Sequence, residues 1–217
     1  MQSIKNNRRQ KQATHVKERG KNMKFEKEKL FWKNEPTEYS IGEKEITIQT
    51  EPETDFWKRT YYGFCHDNIP TLLTTTSEKY FSFVVRTEYE YKRRFDHCGV
   101  MIYQDTDNAI KVAVEYENDD NLWLGCVVTN NGYSDWSTAD LDTTQKYMYF
   151  RISRRASDFC IENSLDGVHY QQMRITHLFE GSGDINIGLF AGSPENSSFK
   201  ATFTEFEFTD CKWEAHV

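Results

Sequence analysis

The sequence predicts an all-β sandwich, and three observations carry that prediction. From Leu30 onward, apolar and polar residues alternate with period two in run after run. Short clusters of Asp, Asn and Gly separate the runs. No stretch places apolar residues at the 3.6-residue spacing of a helix. The chain has 217 residues, of which 37% are hydrophobic and 15% aromatic. Each large ring buries roughly 150–250 Å², so this aromatic share suffices for one sandwich core.

Ten runs read as strands, in order: 45–50, 80–91, 98–104, 109–117, 123–129, 147–153, 158–164, 169–175, 185–191 and 199–208. The turns between them include Asp107-Asn108, Asn118 to Asn121, Asn131-Gly132 and Asp166-Gly167. Asn-Gly and Asp-Gly supply the positive φ angles of tight hairpins. A short helical turn is expected around His177–Glu180. Ten or more strands with close turns make a sandwich or a barrel.

Alternation also sorts faces. Val112, Val114 and Tyr116 share one face of 109–117, and Lys111, Ala113, Glu115 and Glu117 share the other. Phe81, Phe83 and Val85 oppose Arg86, Glu88 and Glu90, while Met148, Phe150 and Ile152 oppose Tyr147, Tyr149 and Arg151. If these strands share a sheet, its second face is charged and tyrosine-bearing. Such a face suits either plain solvation or a polar ligand held in a concave groove.

Residues 1–24 hold eight Lys or Arg and one Glu, so the remainder carries a formal −14 against −7 for the whole chain. The basic start lacks periodicity and is expected to be disordered. A second reading makes it a translated ribosome-binding region ahead of a start at Met23. Residues 25–217 read as one β-sandwich domain. Its acidic body argues against nucleic-acid binding. No run approaches the roughly 18 apolar residues of a membrane helix, and no apolar h-region follows the basic start. The five cysteines are odd in number with no CxxC spacing, which predicts reduced thiols in a cytoplasmic protein.

Several short motifs run in order along the chain: Trp32 with Glu35-Pro36, Thr54 to Thr60, Asp96 to Gly99 and Lys111 to Tyr116. Val128-Thr129, Ser134 to Ser137, Asp166-Gly167, Met173-Arg174 and Ser193-Pro194 follow. In this order and spacing the chain resembles domain-of-unknown-function family 1349, the regulation-of-enolase-like group of the concanavalin A-like lectin/glucanase superfamily. His97-Cys98-Gly99 stands where the family pattern has Gln-Ala-Gly. The resemblance implies a jelly-roll sandwich of two curved antiparallel sheets. Its superfamily holds lectins, carbohydrate-binding modules and glycoside hydrolases, so fold alone implies no one activity.

Asp55-Phe56-Trp57 and Asp135-Trp136 pair an acid with an indole. Such pairs suit sugars, whose C–H faces stack on rings while hydroxyls bond carboxylates. They equally suit Trp plugs at the ends of a sandwich, with Asp bonding loop backbone. The expected groove has Arg86, Lys111, Glu115, Tyr149 and Arg151 on its floor and Trp57, Tyr61, His66, Asp135 and Trp136 on its rim. Its expected occupant is a saccharide or small polar metabolite. A glycosidase is the alternative, with Glu115 and Glu117 as the acid pair. Their Cα atoms lie roughly 6.6–6.8 Å apart along a strand, and inverting glycosidases use carboxyl groups about 6.5–9.5 Å apart. The longer acidic strand motif of the superfamily hydrolases, resembling Glu-x-Asp-x-x-Glu, is not reproduced. A regulatory protein-interaction domain acting on a metabolic enzyme is the third expectation. Scattered histidines and the absence of a phosphate-cradling loop call for no metal or cofactor.

Overall fold

The computed structural model describes residues 25–214. The basic segment and its alternative start at Met23 lie outside the described residues. After a 3-10 turn at Lys27–Lys29, sixteen strands follow. They are β1 (Phe31–Lys33), β2 (Tyr39–Ile41), β3 (Glu45–Gln49), β4 (Phe56–Lys58), β5 (Cys65–Asp67), β6 (Thr71–Thr76), β7 (Tyr80–Tyr89) and β8 (His97–Asp105). The second half comprises β9 (Asn108–Asn118), β10 (Asn121–Asn130), β11 (Tyr133–Leu141), β12 (Tyr147–Arg155), β13 (Asp158–Ser164), β14 (Gln171–His177), β15 (Ile185–Gly192) and β16 (Lys200–Thr209). No α-helix occurs among the described residues.

Two seven-stranded antiparallel sheets face each other, as the alternation predicts. Sheet A runs β1-β6-β15-β8-β9-β10-β11, and sheet B runs β14-β13-β12-β7-β16-β3-β2. Between them lies a core that includes Phe81, Phe83, Val85, Val112, Val114, Phe150 and Ile152, each fully or almost fully buried. These are the residues that period-two sorting assigned to the apolar faces. The Asn131-Gly132 turn joins β10 to β11 with φ of 52° and 76°. That left-handed pair is the type I′ geometry that matches strand twist. The turn expected at His177–Glu180 begins one residue later: His177 ends β14, and Gly181 N–H donates to the Leu178 carbonyl at 2.9 Å to close a turn.

The groove expected from shared strands does not exist as one surface. β7 and β12 belong to sheet B, whereas β9 belongs to sheet A. Alternation assigns a residue to a face of its strand but is silent on which sheet the strand joins.

A third layer covers part of sheet A. The β4–β5 hairpin lays Phe56 and Ile69 against Met101, Ala109, Ala113 and Phe190 on the outer face. Its far end is pinned by Lys58 N–H donating to Ser134 Oγ at 3.0 Å and by Arg59 Nη1 donating to the Gly132 carbonyl at 2.7 Å. At its base, Asn68 accepts from Asp55 N–H and donates through its amide to the Glu53 carbonyl.

Candidate functional site between the hairpin and sheet A

Three cross-strand rows build the floor on the outer face of sheet A. Met101, Lys111, Val127 and Trp136 form one row. His97, Glu115, Trp123 and Asp140 form another. Between them runs Gly99, Ala113, Gly125 and Thr138, whose small side chains leave a trough. Trp136 lies across it, and a Cβ at Gly125 would approach its Nε1 to 3.0 Å.

The hairpin supplies the wall. Tyr62, Phe64 and His66 alternate along it, with Tyr62 stacked on Phe64 at 5.3 Å and Phe64 against His66 at 4.7 Å between ring centroids. Trp57 joins wall to floor, edge-on to Tyr62 at 5.7 Å and to Trp136 at 6.3 Å. Trp123 extends the aromatic surface behind Trp136 at 5.4 Å. The cleft thus enclosed measures about 700 Å³, within the 300–1,000 Å³ usual for small-molecule sites.

At its polar end a buried network forms. Lys111 Nζ donates to Asp55 Oδ1 at 2.9 Å and to His97 Nε2 at 3.1 Å. His97 Nδ1 donates to the Phe95 carbonyl at 2.7 Å, which fixes the tautomer and leaves Nε2 as acceptor. Burial, reinforced by the Lys111 ammonium, pulls the imidazole down to about 3, so it is neutral. Burial pushes the Asp55 carboxyl up, but Lys111, His97 and the Phe56 N–H outweigh it and hold Asp55 below the ordinary carboxylate value. Glu115 behaves in the opposite way. Burial, with Asp55 and Glu117 adding to it against Lys111 and Arg94, raises it to about 8. Its Oε1 is buried with no hydrogen-bond partner among the described residues. A neutral carboxyl group can donate as well as accept.

The ten residues expected to share one groove are thus divided. Trp57, His66, Lys111, Glu115 and Trp136 line the cleft. Tyr61 stands at the hairpin tip, 93% exposed, with φ of 62°. Asp135 points away from its neighbour Trp136, because adjacent strand residues face opposite sides, and pairs with Arg174 at 2.8 Å. Arg86, Tyr149 and Arg151 sit on sheet B. There Arg86 pairs with Glu88, Tyr149 donates to Glu205 at 3.0 Å, and Arg151 forms a two-pronged pair with Glu162 at 2.6 and 2.7 Å. Glu117, the alternative acid partner of Glu115, is bonded to Arg94 at 2.8 Å and does not line the cleft. Among the described residues no group of three or more His, Cys, Asp or Glu is arranged to hold a metal ion.

Sequence reasoning left Asp55 and His97 out of the groove, along with Tyr62 and Phe64. The alternation Tyr62, Phe64, His66 was a usable signal for the wall. His97 stood out as a departure from the family pattern, but its role depends on Lys111 from the neighbouring strand.

The sequence pattern described as "Protein of unknown function (DUF1349)" matches residues 32–211. The chain belongs to this family. It is 30% identical over 178 residues to "Regulation of enolase protein 1" of Saccharomyces cerevisiae, covering 82% of this chain and 88% of that one. A crystal structure of a functionally unknown Saccharomyces cerevisiae protein superposes with a TM-score of 0.78 at 28% identity, over 84% of this chain and 97% of that chain. A glycoside hydrolase family 43 protein from Bacillus licheniformis superposes with a TM-score of 0.65 at 14% identity. That match covers 88% of this chain but 38% of the hydrolase, and it shows a shared fold alone. The DUF1349 chain therefore has relatives over nearly its whole sandwich.

Proposed function

We propose that the protein is a non-catalytic cytosolic binding domain whose cleft takes a saccharide or sugar-like metabolite. One observation carries the reading: an aromatic wall of Trp57, Tyr62, Phe64 and Trp136 stands over a polar end made by Asp55, Lys111 and Glu115. Pyranose rings offer that combination, with apolar C–H faces for stacking and hydroxyls for hydrogen bonds. The two carboxyl groups that act on Glu115 are both committed, Asp55 to Lys111 and Glu117 to Arg94, which speaks against their use as its acid–base partner.

Tryptophan fluorescence titrated against a panel of mono- and disaccharides tests this. Trp57, Trp123 and Trp136 lie in one aromatic cluster, so saturable quenching is expected. Trp136→Ala should weaken it roughly tenfold, the scale of one lost stacking contact. A panel without saturable quenching would overturn the reading. It would turn attention to the hairpin tip, where Tyr61, Tyr62 and Phe64 are exposed. Those rings suit a protein partner, in line with the name of the yeast relative, and enolase would be the first partner to try.

A further inference from the structure

The cleft is charged predominantly one way. Its lining includes four carboxyl residues, Glu53, Asp55, Glu115 and Glu195, against Lys111 as the one lysine. Lys111 is already committed to Asp55 and His97. Arg94 is paired with Glu117 and acts at longer range on Glu195 and Glu115. Glu195 lies in the field of Arg94, and both Glu53 and Glu195 are exposed at the edge of the cleft. The Glu115 carboxyl group lines the cleft, while its Oε1 is buried without a partner beside a water-sized hole of about 10 Å³ that Trp136 also lines. A site in which carboxyl groups outnumber cations, with one of them next to indole rings, is complementary to a positively charged group. An ammonium gains both a charge-assisted hydrogen bond and attraction to the rings.

We propose that the cleft selects a cationic saccharide, an amino sugar, whose ammonium group pairs with Glu115 while its ring stacks on Trp136. The proposal rests on the saccharide reading and narrows it. It also excludes anionic sugars, because a phosphate or uronate would meet the exposed carboxylates of Glu53 and Glu195. Binding is linked to a proton. The groups around Glu115 are Lys111 and Glu117 on β9, His97 on β8, Asp55 at the hairpin base and Arg94 in the loop before β8. In the empty cleft these leave Glu115 neutral at neutral pH, and an ammonium beside it favours the carboxylate. Each amino sugar bound therefore releases a proton to solvent.

The test is a fluorescence titration of the whole protein near neutral pH with glucosamine, N-acetylglucosamine, glucose and glucose 6-phosphate. Glucosamine should bind at least about tenfold tighter than glucose, the scale of one charge-assisted hydrogen bond. N-acetylglucosamine should lose that advantage, and the phosphate should bind weakest. Glu115→Gln should bring glucosamine and glucose to equal affinity. The wild-type comparison decides the matter even where that variant folds poorly. Equal binding of glucosamine and glucose, or tighter binding of the phosphate, would overturn the cationic preference and leave the saccharide reading standing. Silence toward all four sugars would overturn both.

Discussion

Glu115→Gln should stabilise the protein by an amount that grows with pH. Glu115 is held at about 8 in the fold against an ordinary 4.5. Between those values the folded state keeps a proton that the unfolded chain has lost. Stability then falls with a slope of about 1.4 kcal/mol per pH unit. The contribution of the neutral carboxyl group is fully present below the unfolded value and is lost as pH rises through the folded one. Integrated over that window the loss approaches about 5 kcal/mol as a ceiling. Relaxation of the buried cluster and entry of water bring the expected figure to about 2–4 kcal/mol. His97 works in the other direction: its folded value of about 3 lies below the ordinary 6.5, so its contribution is present above 6.5 and lost as pH falls. It is common to both proteins and largely cancels in their difference. Urea unfolding of wild type and variant at about pH 5 and about pH 8 gives that difference directly. A gap between the two proteins that is the same at both pH values would refute the reasoning, since it would mean that Glu115 ionises as an exposed carboxyl does.

Two further outcomes are expected. Arg154 is fully buried and donates to the carbonyls of Ala156, Glu78, Gly181 and Gly183 at 2.7–2.8 Å, so Arg154→Met should cost about 3–5 kcal/mol in urea unfolding by leaving those acceptors unpaired. Burial raises the thiols of Cys98 and Cys126 to about 12 and that of Cys160 to about 11, while Cys211 is half-buried and Cys65 exposed, so a native thiol titration should show a fastest phase that Cys65→Ser removes, with the three buried thiols reacting only after denaturation.

The strands that read clearly in the sequence include those with one face in the core and one nearer solvent, such as β7, β12 and β16. Those that escaped obey no alternation, for identifiable reasons. In β6 five of six residues are buried, because the strand has the sandwich core on one side and neighbouring structure on the other. β4 is three residues long and buried throughout, and β5 is equally short. β11 is an edge strand, mostly exposed. The site follows the same logic. Lys111 and Glu115 were legible as outward residues of one strand, and Trp57 and Trp136 as ring-bearing neighbours of acids. Arg86, Tyr149 and Arg151 were joined to them because their strands show the same two-faced pattern. Only the pairing of strands, a long-range property, separates the two sheets.

The β4–β5 hairpin has a consequence for how the cleft behaves. The same short segment carries Tyr62, Phe64 and His66 on the cleft side and Phe56 against Met101 and Phe190. Lifting it would admit a ligand and bare an apolar patch in a single event. An occupant touching both hairpin and sheet would therefore act as a latch, suppressing the opened form and with it the surface through which copies of the chain would stick together. Loss of the ligand would then register first as a tendency to aggregate, ahead of any global unfolding. The sandwich beneath keeps its own core, separate from the cluster under the hairpin.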